Sequence, residues 1–134
     1  MMSLKKSKKS LPRIKIIQKL YNSLMNPDAI IEYPKSQFKK FIKDVVEGTL
    51  ERSELIEEMI NLHLNNDVNL AKTDKLLKII LFAAIFELMF RPSTSKKIII
   101  NEYLLASEHF LEKIQIGYLN AILDKISKEL RKDE

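Results

Sequence analysis

At 134 residues and 46% apolar, with two glycines and four prolines, the chain has one domain's length and enough apolar material for a packed core. Its turns are too few for a β-sandwich or barrel, and the absence of cysteine excludes disulfides, thiolate metal sites and cysteine nucleophiles. The net charge of +5 is unevenly placed: Lys5, Lys6, Lys8, Lys9, Arg13, Lys15 and Lys19 precede the first acid, Asp28, and beyond position 19 sixteen basic residues face 18 acidic ones, a net of −2. A neutral-to-acidic body with a basic arm over residues 1–11 suits a polyanionic partner, either nucleic acid or a membrane surface.

Pro12 fits the first turn of a helix entered after Ser10, where its missing N–H costs nothing. Ile14, Ile17, Leu20, Tyr21 and Leu24 then recur at helical spacing until Asn26-Pro27-Asp28, with Arg13, Lys15 and Lys19 between them. Residues 29–35 read as a loop. Phe38, Phe41, Ile42, Val45 and Val46 form a second stripe, resumed at Leu55, Ile56, Met59, Ile60 and His63. This is one helix bent near Gly48 or two helices. Glycine inside a helix costs about 1 kcal/mol, which a close helix crossing at Gly48 would offset.

Thr73 is the expected N-cap of a helix over 74–90, and its segment Ile79–Phe86 is apolar on every side, as befits a central, surrounded helix. The apolar run ends at Phe90 and contains Glu87, so it is too short for the roughly 20 residues that cross a membrane. No apolar h-region follows the basic N-terminus, and a cytoplasmic protein is the simplest reading. Two further helices are expected. One covers 96–111 with Ile99, Ile100, Tyr103, Leu104 and Phe110 inward, and the other covers 116–131 with Leu119, Ile122, Leu123, Ile126 and Leu130 inward. The expected fold is all-α, a single domain over 1–134 with five to seven helices around one buried helix.

No catalytic pattern is present. His63 and His109 lie far apart and lack the Glu-x-x-His spacing of carboxylate-bridged metal bundles, and there is no Gly-rich phosphate loop, G-x-S-x-G elbow or H-E-x-x-H. Glu57 and Glu58 read as surface carboxylates. No metal, cofactor or small-molecule substrate is expected. Glu87, Asn101, Glu102, Asn120 and Asp124 interrupt apolar surroundings, and either a hydrogen-bond network between helices or a role at a binding surface would account for them.

Four segments carry a resemblance: Arg13-Ile-Lys-Ile-Ile-Gln18-Lys-Leu20-Tyr21, Leu81-Phe-Ala-Ala84-Ile-Phe86-Glu87-Leu88, Ile100-Asn101-Glu102, and Tyr118-Leu-Asn120-Ala-Ile-Leu123-Asp124. In order and spacing they resemble the NusB family of bacterial transcription antitermination factors, with its A-x-Q-x-L-Y opening, L-R-x-A-x-Y-E-L helix, I-N-E-A segment and F-V-N-G-x-L-D close. The resemblance implies two packed helical subdomains and a non-enzymatic, RNA-binding role. It also implies binding of boxA-type nascent RNA together with the ribosomal protein NusE, in the RNA polymerase antitermination complex that supports ribosomal RNA synthesis.

On that footing Lys5, Lys6, Lys8, Lys9, Arg13, Lys15 and Tyr118 are the candidate RNA contacts, and Tyr21 and Glu87 the candidate partner contacts. Tyr118, at the family's Phe position, is either an exposed stacking platform or core. The departures are an arm of lysines where the family has arginines, Phe82 at the central-helix Arg, Gly117 where a basic residue precedes F-V-N, and Ser107-Glu108 where the family has A-K. Lysine lacks the planar bidentate fork, so the arm is suited to phosphates more than to bases. The competing reading is a helical protein-interaction adaptor without its own RNA specificity.

Overall fold

The computed structural model describes the backbone from Met2 to Glu134 and the side chains from Leu11 onward. The described residues form six α-helices, α1 Met2–Met25, α2 Lys39–Glu51, α3 Ser53–His63, α4 Lys75–Phe90, α5 Lys96–Ser107 and α6 Lys113–Leu130, with a short 3-10 turn at Leu70–Lys72. No strand occurs among the described residues. The all-α expectation holds.

The apolar run of α4 decides the architecture. Residues 80–88 are all buried, so α4 has no face to give to water and must be surrounded. It packs on every other helix, while α1 also packs on α2 and α5, and α6 on α3 and α5. α4 is therefore the element that all the other helices share, and α1 and α5 also meet directly across it. The expected inward residues Ile99, Tyr103, Leu119, Ile122, Leu123 and Ile126 are in the core; Ile100, Leu104, Phe110 and Leu130 pack half-buried at its edge.

Several boundaries differ from the sequence expectation. α1 runs through Pro12 instead of starting there. Residues 39–63 form two helices, and the break falls at Arg52, whose N–H still reaches the Gly48 carbonyl, not at Gly48 itself. Asp74, not Thr73, caps α4, its carboxylate accepting from the Leu77 N–H at 3.1 Å; Thr73 instead turns back to the Asn69 carbonyl. α5 ends at Ser107, and α6 starts three residues early because Gln115 reaches back to accept from the Glu112 N–H at 3.0 Å.

Arg131 closes the C-terminal end of α4. Its guanidinium donates to the carbonyls of Leu88 at 2.6 Å, Arg91 at 3.0 Å and Thr94 at 3.0 Å, and pairs with Glu134. The last carbonyls of a helix have no partner within it and carry partial negative charge, which a buried cation satisfies. Glu134 in turn accepts from the Lys96 N–H at 2.8 Å, at the opening turn of α5. That contact, outweighing burial and joined by Arg131, holds its carboxyl below the usual range.

Gly48 is required by close approach, not by backbone conformation, since no glycine here has positive φ. A Cβ at Gly48 would lie 2.2 to 3.0 Å from three atoms of the Phe86 ring, and that ring is itself held against Phe90 at 5.2 Å between centroids. The expected close crossing is present. Gly48→Ala should lower stability by about 1–2 kcal/mol, the overpacking strain exceeding the gain in helix propensity. Adding Phe86→Leu should make the same alanine neutral or favourable when the two melts are compared.

Candidate functional site

The expected polar network forms, but with different members. Glu87 is 0% exposed, at the middle of the molecule on α4. The Arg13 guanidinium meets it as a fork: Nε donates to Oε2 at 3.1 Å and Nη2 to Oε1 at 2.8 Å. The Tyr103 hydroxyl donates to the same Oε2. Glu102 lies 3.8 Å from Arg13 Nη1 at the edge of the cluster. The Phe41 and Tyr103 rings flank the guanidinium at 5.0 and 5.5 Å from their centroids. Asn101, Asn120 and Asp124 take no part. They are exposed, and Asp124 pairs with Lys128 along α6.

Two of the candidate residues lie in the interior. Arg13 is 8% exposed with its fork occupied by Glu87, and so holds α1 against α4 and α5. Glu87 is fully buried. Arg13 carries a signal for this: with Ile16, Ile17 and Leu20 it falls on one i, i+3, i+4, i+7 row, and all three are buried. Burial draws the Arg13 proton affinity down, but Glu87, Tyr103 and Glu102 raise it overall. Burial first, and then the Glu87 carboxylate, push the Tyr103 hydroxyl well up, with Arg13 opposing.

The side chains of Lys5, Lys6, Lys8 and Lys9 lie outside the described residues. Lys15 is half-buried on α1, and Lys19, next on that helix, donates to the Glu32 carbonyl at 2.6 Å. Tyr118 is 38% exposed on α6, and its hydroxyl donates to the Asp67 carbonyl at 2.6 Å. Burial and the Asp67 charge raise its pKa. Tyr118 is thus a partly exposed ring fixed at one end. Tyr21 is half-buried, one turn before Leu24. Tyr21 does not line the nearby apolar groove of about 600 Å³, which is formed by Leu20, Leu24, Leu50, Ile79 and Phe82, with Glu54, Glu57, Lys75 and Lys78 among its polar members. The sequence reading missed this groove. Leu24 and Leu50, apolar yet 49% and 42% exposed, are what mark it.

The NusB family model matches residues 7–128. The transcription antitermination protein NusB of Rickettsia conorii is 33% identical over a gapped alignment of 155 positions, covering 96% of this chain and 97% of the relative. That of Rickettsia akari is 34% identical over 158, covering 98% and 99%. The chain belongs to the NusB family. Its fold is also that of T. maritima NusB, with a TM-score of 0.79 at 19% identity over 93% of this chain and 94% of the other. The resemblance read from four short segments thus extends over nearly the whole chain. The relatives are named as transcription antitermination proteins, not as enzymes. Among the described residues, no helix is long and apolar enough to cross a membrane.

Two variants test the buried cluster. Glu87→Ala leaves the Tyr103 hydroxyl without its acceptor and the buried Arg13 guanidinium with only Glu102, at 3.8 Å, and should cost about 3–5 kcal/mol in a denaturant titration. Tyr103→Phe should cost about 1.5–3 kcal/mol, the worth of a hydrogen bond to a charged group. Because the folded-state pKa of Tyr103 is raised, its stabilisation is complete below the ordinary tyrosine pKa of about 10 and declines as pH rises beyond it. The Tyr103→Phe protein should therefore lose less stability than the parent between neutral pH and pH values above about 10.

Proposed function

We propose that this NusB-family protein is a non-enzymatic, cytoplasmic RNA-binding factor. It binds boxA-type single-stranded RNA in the nascent transcript together with the ribosomal protein NusE, within the antitermination complex of RNA polymerase, and supports ribosomal RNA synthesis. The observation that carries this reading is the unbroken basic run from Lys5 to Lys19, in a chain of the antitermination family whose remaining residues are net acidic. With Arg13 committed to Glu87, the phosphate contacts fall to Lys5, Lys6, Lys8, Lys9 and Lys15. Tyr118 supplies a face on which a base stacks. NusE takes the groove between Leu24 and Leu50, which remain 49% and 42% exposed in the free chain. The adaptor reading draws on the same groove and parts from this one only over RNA.

For single strands, log affinity falls with log salt by about 0.7 per phosphate neutralised. Replacing Lys5, Lys6, Lys8 and Lys9 with Ala should make the slope shallower by about 3 if all four make contact. Preference for boxA over unrelated RNA should persist, because phosphate contacts position a strand and base contacts specify it. Tyr118→Ala should cost about 1–3 kcal/mol of RNA binding with little change in slope. An unchanged slope in the quadruple variant returns the arm to a solubilising tail and favours the adaptor. Leu24→Asp should abolish NusE capture while the melt of the free protein stays within about 0.5 kcal/mol of the parent, as for other surface changes.

A further inference from the structure

The chain has four arginines, and two of them are spent inside the molecule. Arg13 is paired with Glu87, and Arg131 with Glu134 and the carbonyls that end α4. Arg52 lies exposed at the α2–α3 break, over the Phe90 ring at 4.7 Å. Arg91, just past the end of α4, is different. Its side chain is half-buried over the Phe41 ring, 4.9 Å from the centroid, on a backbone whose carbonyl accepts from Arg131 at 3.0 Å. Among the described residues no carboxylate pairs with it, and its buried Nε has no acceptor. Arg13 touches the same ring at 5.0 Å, but its charge is met by Glu87. A stacked, fixed guanidinium without a carboxylate matches a phosphate, whose oxygens its planar fork can take in pairs.

The surroundings say whose phosphate. α1 and α4 run antiparallel: Arg13 meets Glu87 near the end of α4, while Leu20 and Leu24 share a groove with Ile79 and Phe82 nearer its start. The basic arm therefore precedes Arg13 at the end of α4 where Arg91 lies. Lys9 is one turn, about 6 Å of helix rise, from Arg13. α6 runs parallel to α4, because Arg131 at its end reaches the Leu88 and Arg91 carbonyls. Tyr118 is thirteen residues earlier on α6, about 20 Å away. At about 3.4 Å per nucleotide, roughly six nucleotides separate the two ends.

Resting on the RNA-binding reading above, we infer that Arg91 binds a phosphate of the nucleotides flanking boxA, on the strand that the arm lysines hold. RNA then meets the protein at two points, the Tyr118 ring and the arm end of α4. Arg91 gives the second point a bidentate contact among lysines, which act as point charges.

The test is Arg91→Met and Arg91→Lys in the full chain with NusE present, titrated at several salt concentrations beside thermal melts. The probes are boxA RNA alone and boxA extended by about ten unstructured nucleotides at either end. The parent should bind one of the extended RNAs more tightly than boxA alone. Arg91→Met should bind that RNA about tenfold more weakly, with a slope of log affinity against log salt shallower by about 0.7. It should bind boxA alone as the parent does and melt with the parent, since no partner within the chain is lost. Arg91→Lys should keep the parent's slope and recover only part of the affinity, because it carries the charge without the fork. Parental affinity and slope of Arg91→Met on the extended RNA overturns this inference and leaves the RNA-binding reading standing. So does a loss on boxA alone as large as on the extended RNA, or a loss of NusE capture with RNA binding intact, which would give Arg91 a partner's carboxylate. Inorganic phosphate that raises the melt of the parent but not of Arg91→Met, with RNA binding equal, would make this a site for the free ion and overturns it too. Parent protein that binds no RNA even at low salt overturns the RNA-binding reading and this inference together.

Discussion

The buried pairing of Arg13 with Glu87 is the constraint on which the rest of the structure depends. A fully buried carboxylate in the last turn of a helix that is otherwise apolar on every side would be prohibitive alone. It is tolerated because α1 delivers a guanidinium fork and α5 delivers the Tyr103 hydroxyl to the same two oxygens. Three helices distant in sequence are thereby fixed in one register, which apolar packing alone specifies less sharply. The pair is not thereby a large net source of stability, since well-packed apolar residues can replace such a cluster at little cost. Its contribution is to geometry, and a missing partner makes it costly.

That commitment also divides the basic charge of α1. Arg13 is spent on the interior, while Lys15, two residues on, stays half-exposed. Arg131 makes a parallel division at the other end of the chain. It serves the carbonyls where α4 ends, leaving Lys125 and Lys128 to balance acids on the outer face of α6. In both cases arginine takes the buried post and lysine the exposed one. This follows from the planar, weakly hydrated guanidinium against the compact, strongly hydrated ammonium.

Much of the fold was legible because its strongest signal is local: the run Ile79–Phe86 cannot be an exposed helix, and the 3.6-residue stripes on the other helices select their inward faces. Helix ends were less legible, because several side chains can compete for one cap. Asp74 beat Thr73, and the Glu112–Gln115 contact set the start of α6. The candidate site was legible in outline only. Charge density points to the arm, but it cannot separate a lysine facing water from an arginine turned inward, and that distinction rests on the row shared by Arg13, Ile16, Ile17 and Leu20. The groove between Leu24 and Leu50 depends on where α1, the α2–α3 junction and α4 meet, a long-range juxtaposition that no single stretch of sequence encodes.

The central claim is that Arg13 organises the interior and takes no part in RNA binding. The most direct measurement is the salt dependence of boxA RNA binding by the triple variant Arg13→Met, Glu87→Leu, Tyr103→Phe, which replaces the buried polar cluster with apolar groups of similar size. The expected result is a cooperatively melting protein whose slope of log affinity against log salt equals that of the parent. A slope shallower by about 0.7, one phosphate contact, in a protein that melts like the parent would show that Arg13 reaches the RNA and would contradict the claim.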